Sequence, residues 1–186
     1  IAQCLVGSEM CIRDSIWNGF TCTGREEEYT WSDAYIDNSI VAIVRADSGI
    51  ESLTDLAGKT VMVQSASSGL DALTANEELT ASFGELVQLP DYNTGFLELR
   101  QGTVDAVVVD VGVGNYQIAN TEGDYVILSE PVSVEQYAVG FYLGNEALRN
   151  AVNEQLLAMA EDGTMMSIAE KYVDKGLSLD SLCLCK

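Results

Sequence analysis

Three groups of side chains in this 186-residue chain could act on a ligand. The first lies in residues 60–73, where the β-forming run Thr60, Val61, Met62, Val63 gives way to Ser65, Ala66, Ser67 and Ser68. Leu70, Leu73 and Leu79 then resume at helical spacing. A strand that ends in a small-residue turn opening a helix aims unpaired N–H groups and the positive end of the helix dipole at one point. That point suits an anion, and side chains as short as Ser67 and Ser68 let it reach the backbone. The run lacks the Gly-Lys-Ser/Thr ending of a phosphate loop and the glycine spacing of a dinucleotide turn, which favours a carboxylate-bearing small molecule. A plain helix cap at Ser67 accounts for the same residues no less well. The second group is Arg25, followed by Glu26, Glu27 and Glu28, which also reads as a solvated charge cluster. The third is Asp110, where the apolar run 104–109 stops. An acid at the carboxyl end of a buried parallel strand lies on the edge where α/β folds bind ligands, and an N-cap for the next helix is the alternative.

Composition removes several chemistries. The chain has no His, hence no Ser-His-Asp or Cys-His nucleophile pair, no His general base and none of the usual zinc sites. Its 29 acidic residues against 9 basic ones give a formal net charge of -20, a field that repels nucleic acid and anionic membrane surfaces. No apolar run is long enough to span a bilayer. No Cys-x-x-Cys occurs among Cys4, Cys11, Cys22, Cys183 and Cys185. Cys183-Leu184-Cys185 is too tightly spaced for an ordinary structural disulfide or a metal knuckle. Neither a cofactor nor a metal is expected.

The elements that must position these residues follow from patterning. With 47% hydrophobic and 20% charged residues, the chain can bury one large core or two small ones. Residues 16–21 read as a strand leaving the core, 23–25 as a turn and 39–44 as an extended stretch. Residues 70–82 read as helix, 86–89 as strand, and 93–101 as a helix ended by Gly102. The run 104–109, with Asp105 inside it, has the pattern of a strand buried on both faces. Residues 125–128 read as a further strand closed by Pro131. Leu148, Val152, Leu156, Leu157 and Met159 mark a core-facing helix over 146–159.

Taken in order, these residues resemble the extracytoplasmic amino-acid-binding proteins of ABC importers. Thr21-Cys22-Thr23-Gly24-Arg25 followed by Ser32-Asp33-Ala34-Tyr35 is similar to their "Thr-x-Thr-x-x-Arg … Phe-Ser-Asp-Pro-Tyr" signature, with a turn one residue shorter and Ala34 in place of proline. Asp55-Leu56-Ala57-Gly58-Lys59-Thr60-Val61 resembles "Asp-Leu-x-Gly-Lys-x-Val". Val63 to Ser68 resembles "Val-Gln-x-Gly-Thr-Thr", with Ala66 replacing a glycine. Asp105-Ala106 through Asp110 fits "Asp-Ala-x-x-x-Asp", residues 137–143 resemble the return strand, and Asp162-Gly163-Thr164 with Ile168 and Lys171 resembles the closing motif. The likeness covers residues 16–175, and its specificity lies in the set rather than in any one motif.

The resemblance implies an α/β, two-lobed periplasmic-binding-protein type II fold with the first lobe incomplete. Residues 16–42 and 138–175 would form the first lobe and 48–132 the second. The linkers would lie near 42–47 and 131–138, and 176–186 would form an unplaced tail. It also implies an amino-acid ligand in the cleft between the lobes. Arg25, Thr21 and the backbone around Ser67 and Ser68 would hold its α-carboxylate, while Asp110 and the Gly19 carbonyl would hold its α-ammonium. A monomeric, extracytoplasmic, non-enzymatic protein delivering its ligand to membrane permease subunits is the expectation. Residues 1–15 resemble a translated adapter string and are expected to stand outside the fold. A dehydratase-like enzyme on the same fold, a receptor's ligand-sensing module and a plain surface domain are the competing classes.

Overall fold

The structure, a computed structural model, describes residues 14–121 and 123–185. Along them run β1 (Ser15–Ile16), β2 (Thr30–Trp31), β3 (Ile36–Arg45), β4 (Thr60–Gln64), α1 (Ser68–Ala75), α2 (Glu77–Ser82), β5 (Glu85–Leu89) and α3 (Tyr92–Gln101). Then follow β6 (Ala106–Asp110), α4 (Val111–Ala119), β7 (Tyr125–Ile127), β8 (Ser133–Tyr137), β9 (Gly140–Phe141), α5 (Glu146–Glu161) and α6 (Thr164–Ala169). These divide into two units. Among the described residues, one comprises 14–38, Glu135–Val173 and 178–185; the other comprises 39–121, 123–134 and Asp174–Leu177.

The unit around residues 39–134 is built on a mixed sheet of order β5-β4-β6-β3-β7, with β8 pairing β3. β4 runs parallel to β5 and β6, whereas β3 runs antiparallel to β6 and β7. The apolar runs alternate in space although they do not alternate in sequence. Ile40, Ala42, Val44, Val61, Val63, Ala106 and Val108 face one cluster with Leu73 of α1. Val41, Ile43, Met62, Val107 and Val109 face the other with Phe96 and Leu99 of α3. A sheet covered on both faces wants apolar residues at every position, which is why 104–109 carries no polar alternation. Val107 to Val109 are wholly buried.

The other unit has a small antiparallel sheet of order β1-β9-β2. Gly140 lets aromatic rings lie on β9: a Cβ there would come within 2.9 Å of the Phe20 ring and 3.1 Å of Trp31. The Ser32-Asp33 pair proves structural. The Ser32 hydroxyl accepts from the Val139 N–H at 2.9 Å, and Asp33 exchanges two hydrogen bonds with Asn153 of α5, both 2.7 Å. Asn38 donates to Glu135 at 2.6 Å, both side chains buried, just where the chain leaves this unit and returns.

The elements differ from the sequence expectation in several places: the strand expected over 16–21 is confined to Ser15–Ile16, and the helix expected over 70–82 is two, α1 and α2, capped anew at Asn76. Residues 42–45 of the expected linker lie in β3, where Ile40 to Val44 pair with β6 and Ile43 to Arg45 with β7, and the division between units falls inside β3 at Asn38–Ser39. The return strand over 137–143 is instead two strands, since β8 pairs with β3 while β9 pairs with β1 and β2. The expectation for residues 1–15 falls largely outside the described residues, but Ser15 pairs with Phe141 and extends β1. The tail is ordered by the opening of β3: Leu182 bridges Ile36, and the Cys183 N–H donates to the Tyr35 carbonyl. Among the described residues no helix is long and apolar enough to cross a membrane, and Cys22, Cys183 and Cys185 form no disulfide.

Candidate functional site

On the unit around residues 39–134, β4 and β6 lie side by side and parallel, with Val63 opposite Val108, so they end on the same edge. From that edge β4 continues into the turn Ser65–Ala66. Ala66 has φ +53°, the one non-glycine residue with positive φ among those described. Ser67 then caps α1: its hydroxyl accepts from the Leu70 N–H at 3.2 Å and donates to the Gln64 carbonyl at 2.7 Å. The cap reading of Ser67 therefore holds, and its side chain is committed locally. The N–H groups of Ser68 and Gly69 have no place in the helix's own ladder, and such groups at a helix N-terminus suit an anion. Gly69 sits close to the sheet, where a Cβ would lie 3.2 Å from Val63 Cγ2 and 3.6 Å from the Val108 carbonyl.

Asp110 ends β6 opposite Ile40 and stands at the N-cap position of α4. Its carboxylate makes no capping hydrogen bond to that helix, so the cap alternative explains its position but not its side chain. One sheet edge thus carries N–H donors at the mouth of α1 and, at the end of the neighbouring strand, an acid.

Gly19, Thr21 and Arg25 belong to the other unit. Thr21 bridges Tyr137, the Cys22 N–H donates to the Gln136 carbonyl at 2.9 Å, and Ala138 donates to Phe20 at 3.2 Å. Gly19 is exposed, and a Cβ there would touch the Tyr137 ring at 3.4 Å. The Arg25 guanidinium lies 4.5 Å from the Phe20 ring centre and 5.6 Å from that of Tyr29, and the Trp31 indole donates to the Arg25 carbonyl at 3.0 Å. Nε of Arg25 pairs with Glu28 at 3.2 Å, so the charge-cluster reading is realised on one side of the guanidinium. Among the described residues its two terminal nitrogens make no hydrogen bond. The signal of this aromatic platform in the sequence is Phe20, Tyr29 and Trp31 flanking Arg25.

Electrostatics around this half-site are local. Its own backbone N–H, and then that of Gly24, hold the Glu26 carboxyl below the usual range. Burial pushes the Cys22 thiol above its ordinary range. A cavity of about 410 Å³ in the same unit is lined by Ser15, Glu28, Tyr29, Phe141 and Tyr142, among others. None of the six sequence-derived residues lines it. Gly19, Thr21 and Arg25 gather on one unit, and Ser67, Ser68 and Asp110 on the other.

Residues 12–175 match the bacterial extracellular solute-binding proteins, family 3. The L-cystine-binding protein TcyJ of Escherichia coli is 29% identical over 153 residues, 80% of this chain and 55% of that protein. An ABC uptake transporter substrate-binding protein from Streptococcus pneumoniae, solved with bound histidine, superimposes with a TM-score of 0.79 at 28% identity, over 89% of this chain and 70% of that one. An ancestral arginine-binding protein bound to arginine gives 0.73 at 31% identity, over 86% and 71%. The chain spans about half the length of the curated relative TcyJ. These relatives are substrate-binding proteins, not enzymes.

Proposed function

The chain belongs to the bacterial extracellular solute-binding proteins, family 3, and from that membership and the two half-sites we propose that it binds a free, polar L-amino acid and delivers it to an ABC-type permease. The observation that carries the proposal is the sheet edge where N–H donors at the mouth of α1 accompany Asp110 at the end of β6. A zwitterion needs such a pairing of donors with an anionic acceptor. In this reading the Ser68 and Gly69 N–H groups take the α-carboxylate, together with Thr21 and the terminal nitrogens of Arg25. Asp110 takes the α-ammonium with the Gly19 carbonyl. The Phe20 and Tyr29 rings hold the guanidinium before the ligand arrives, so less side-chain freedom is lost on binding. A ligand that touches both units stabilises the conformation in which both half-sites reach it, and that conformation is what a permease would recognise. The protein would act outside the cytoplasm as a monomer, tethered or soluble in the periplasm.

Calorimetry across an amino-acid panel, using the full-length protein, tests this. Losing one partner of a desolvated ionic contact costs about 2–5 kcal/mol, so Arg25→Ala and Asp110→Ala should each weaken binding by that order. Arg25→Lys should rescue only in part, because an ammonium cannot present paired donors. A ligand without the α-ammonium should bind wild type weakly and be indifferent to Asp110→Asn. Wild-type affinity in both alanine variants, or chemical conversion of the ligand, would overturn the reading.

A further inference from the structure

Helix α4, which follows directly on Asp110, is a weak helix by composition. Its first four residues are Val111, Gly112, Val113 and Gly114, two β-branched and two glycine, and Asp110 supplies no side-chain cap. Left to itself, such an opening would fray and would not hold Asp110 in one place. Gly114 is pinned against the sheet, where a Cβ would lie 2.7 Å from Ile43 Cδ1, but a Cβ on Gly112 would meet nothing within 4 Å.

What braces the opening turns comes from far along the chain. Asp174–Leu177 belongs to the same unit as α4, although Val173 before it and Ser178 after it belong to the other. Gly176 in this strap has φ +92°, and its Cα lies so close to α4 that a Cβ would collide with the Gly112 carbonyl oxygen and sit 2.7 Å from the Tyr116 nitrogen. The Asn115 side chain donates to the Gly176 carbonyl at 3.3 Å. Beyond the strap the chain is fixed again at Leu182 and Cys183 on the start of β3. Both a positive φ and a backbone-to-backbone approach demand glycine at 176.

We infer that Gly176 and Asn115 are positioning residues for the ammonium acceptor: the strap Asp174–Leu177 props the opening turns of α4 and so fixes where Asp110 presents its carboxylate. The inference rests on the proposed amino-acid site, and it makes the C-terminal segment a determinant of ligand selectivity without touching ligand. Gly176→Ala undocks the strap by collision with backbone, whereas Asn115→Ala removes one hydrogen bond and leaves the packing intact.

The test combines hydrogen exchange of the ligand-free, full-length protein with calorimetry of an amino acid and its analogue lacking the α-amine. In Gly176→Ala the α4 amides should exchange about tenfold faster or more, and amino-acid affinity should fall about tenfold, as expected for overpacking against backbone. Affinity for the des-amino analogue should stay unchanged. Asn115→Ala should move both readouts the same way by less. If α4 exchanges as in wild type in both variants, the strap is no brace and the inference is wrong. If exchange rises but the amino-acid and des-amino affinities fall together or not at all, the strap is structural only and Asp110 is not positioned through it. Wild-type protein that binds no amino acid would instead sink the functional reading, an outcome distinct from either.

Discussion

At the scale of the residue, Ala66 shows how a tight turn can be built at a cost. It adopts φ +53° where the family resemblance has glycine, so its Cβ crowds the following carbonyl. That strain is worth about 1–2 kcal/mol. Replacing it with glycine frees the unfolded chain, which costs about 0.4–1 kcal/mol of stability. Strain relief is the larger effect, and Ala66→Gly should raise stability by about 0.5–1 kcal/mol. Urea unfolding reads this as a higher midpoint at unchanged slope; a lower midpoint would mean that Ala66 is held without strain. Ser67 makes the complementary point. Its hydroxyl is occupied by Leu70 and Gln64, so its side chain sets the helix mouth and is not left to donate elsewhere.

At the scale of the element, the mouth of α1 depends on the start of β4 being aligned with β5. The Gly58 N–H donates to the Ser82 carbonyl at 2.8 Å and the Gly84 N–H to the Lys59 carbonyl at 2.9 Å, which brings the two glycines together. A Cβ on Gly84 would lie 2.5 Å from the Gly58 carbonyl oxygen, a backbone atom that cannot rotate away. Gly84→Ala should therefore destabilise by about 1–3 kcal/mol through overpacking, even though alanine is otherwise the better residue for ordered backbone. Chemical denaturation decides it: an unchanged midpoint would show that the β4–β5 register can slip to make room. The same logic separates β8 from β9. Residues 137–143 have strand composition throughout, but Ala138 and Val139 donate to Phe20 and to the Ser32 hydroxyl, so the ladder breaks between them.

At the scale of the whole molecule, charge dominates. A formal net charge of -20 is spread over a chain whose salt bridges include Arg25–Glu28 and Arg45–Asp47. Both have exposed partners, and such pairs contribute at most about 1 kcal/mol, which salt weakens. Collective self-repulsion acts in the opposite direction and is screened by the same salt. Raising ionic strength from about 0.01 M to about 1 M shortens the Debye length from about 30 Å to about 3 Å. The repulsion involves many more charges than the pairs do, so the melting temperature should rise steadily with NaCl over that range. A flat or falling curve would mean that the acidic groups are individually compensated rather than mutually repelling.

The sequence by itself determined most of the strands of residues 39–134 and the helix α3, because each carries a local cause. Uninterrupted apolar runs become strands covered on both faces, Gly102 ends α3 at φ +77°, and Asp110 stops β6 because an acid does not enter the core. It also supplied the ordered motifs that mark the family. Tertiary structure alone decided what the side chains of those motifs are engaged in. Ser32 and Asp33 became clamps on β9 and α5, Arg25 came to rest on an aromatic platform, and Ser67 became a cap. It alone placed the passage between units within β3 and seated the strap at Gly176 against α4. The physical reason is range: helix and strand preferences act over a few residues. The contacts of Asn153 with Asp33, or of Gly176 with Gly112, join positions whose sequence neighbours carry no trace of each other.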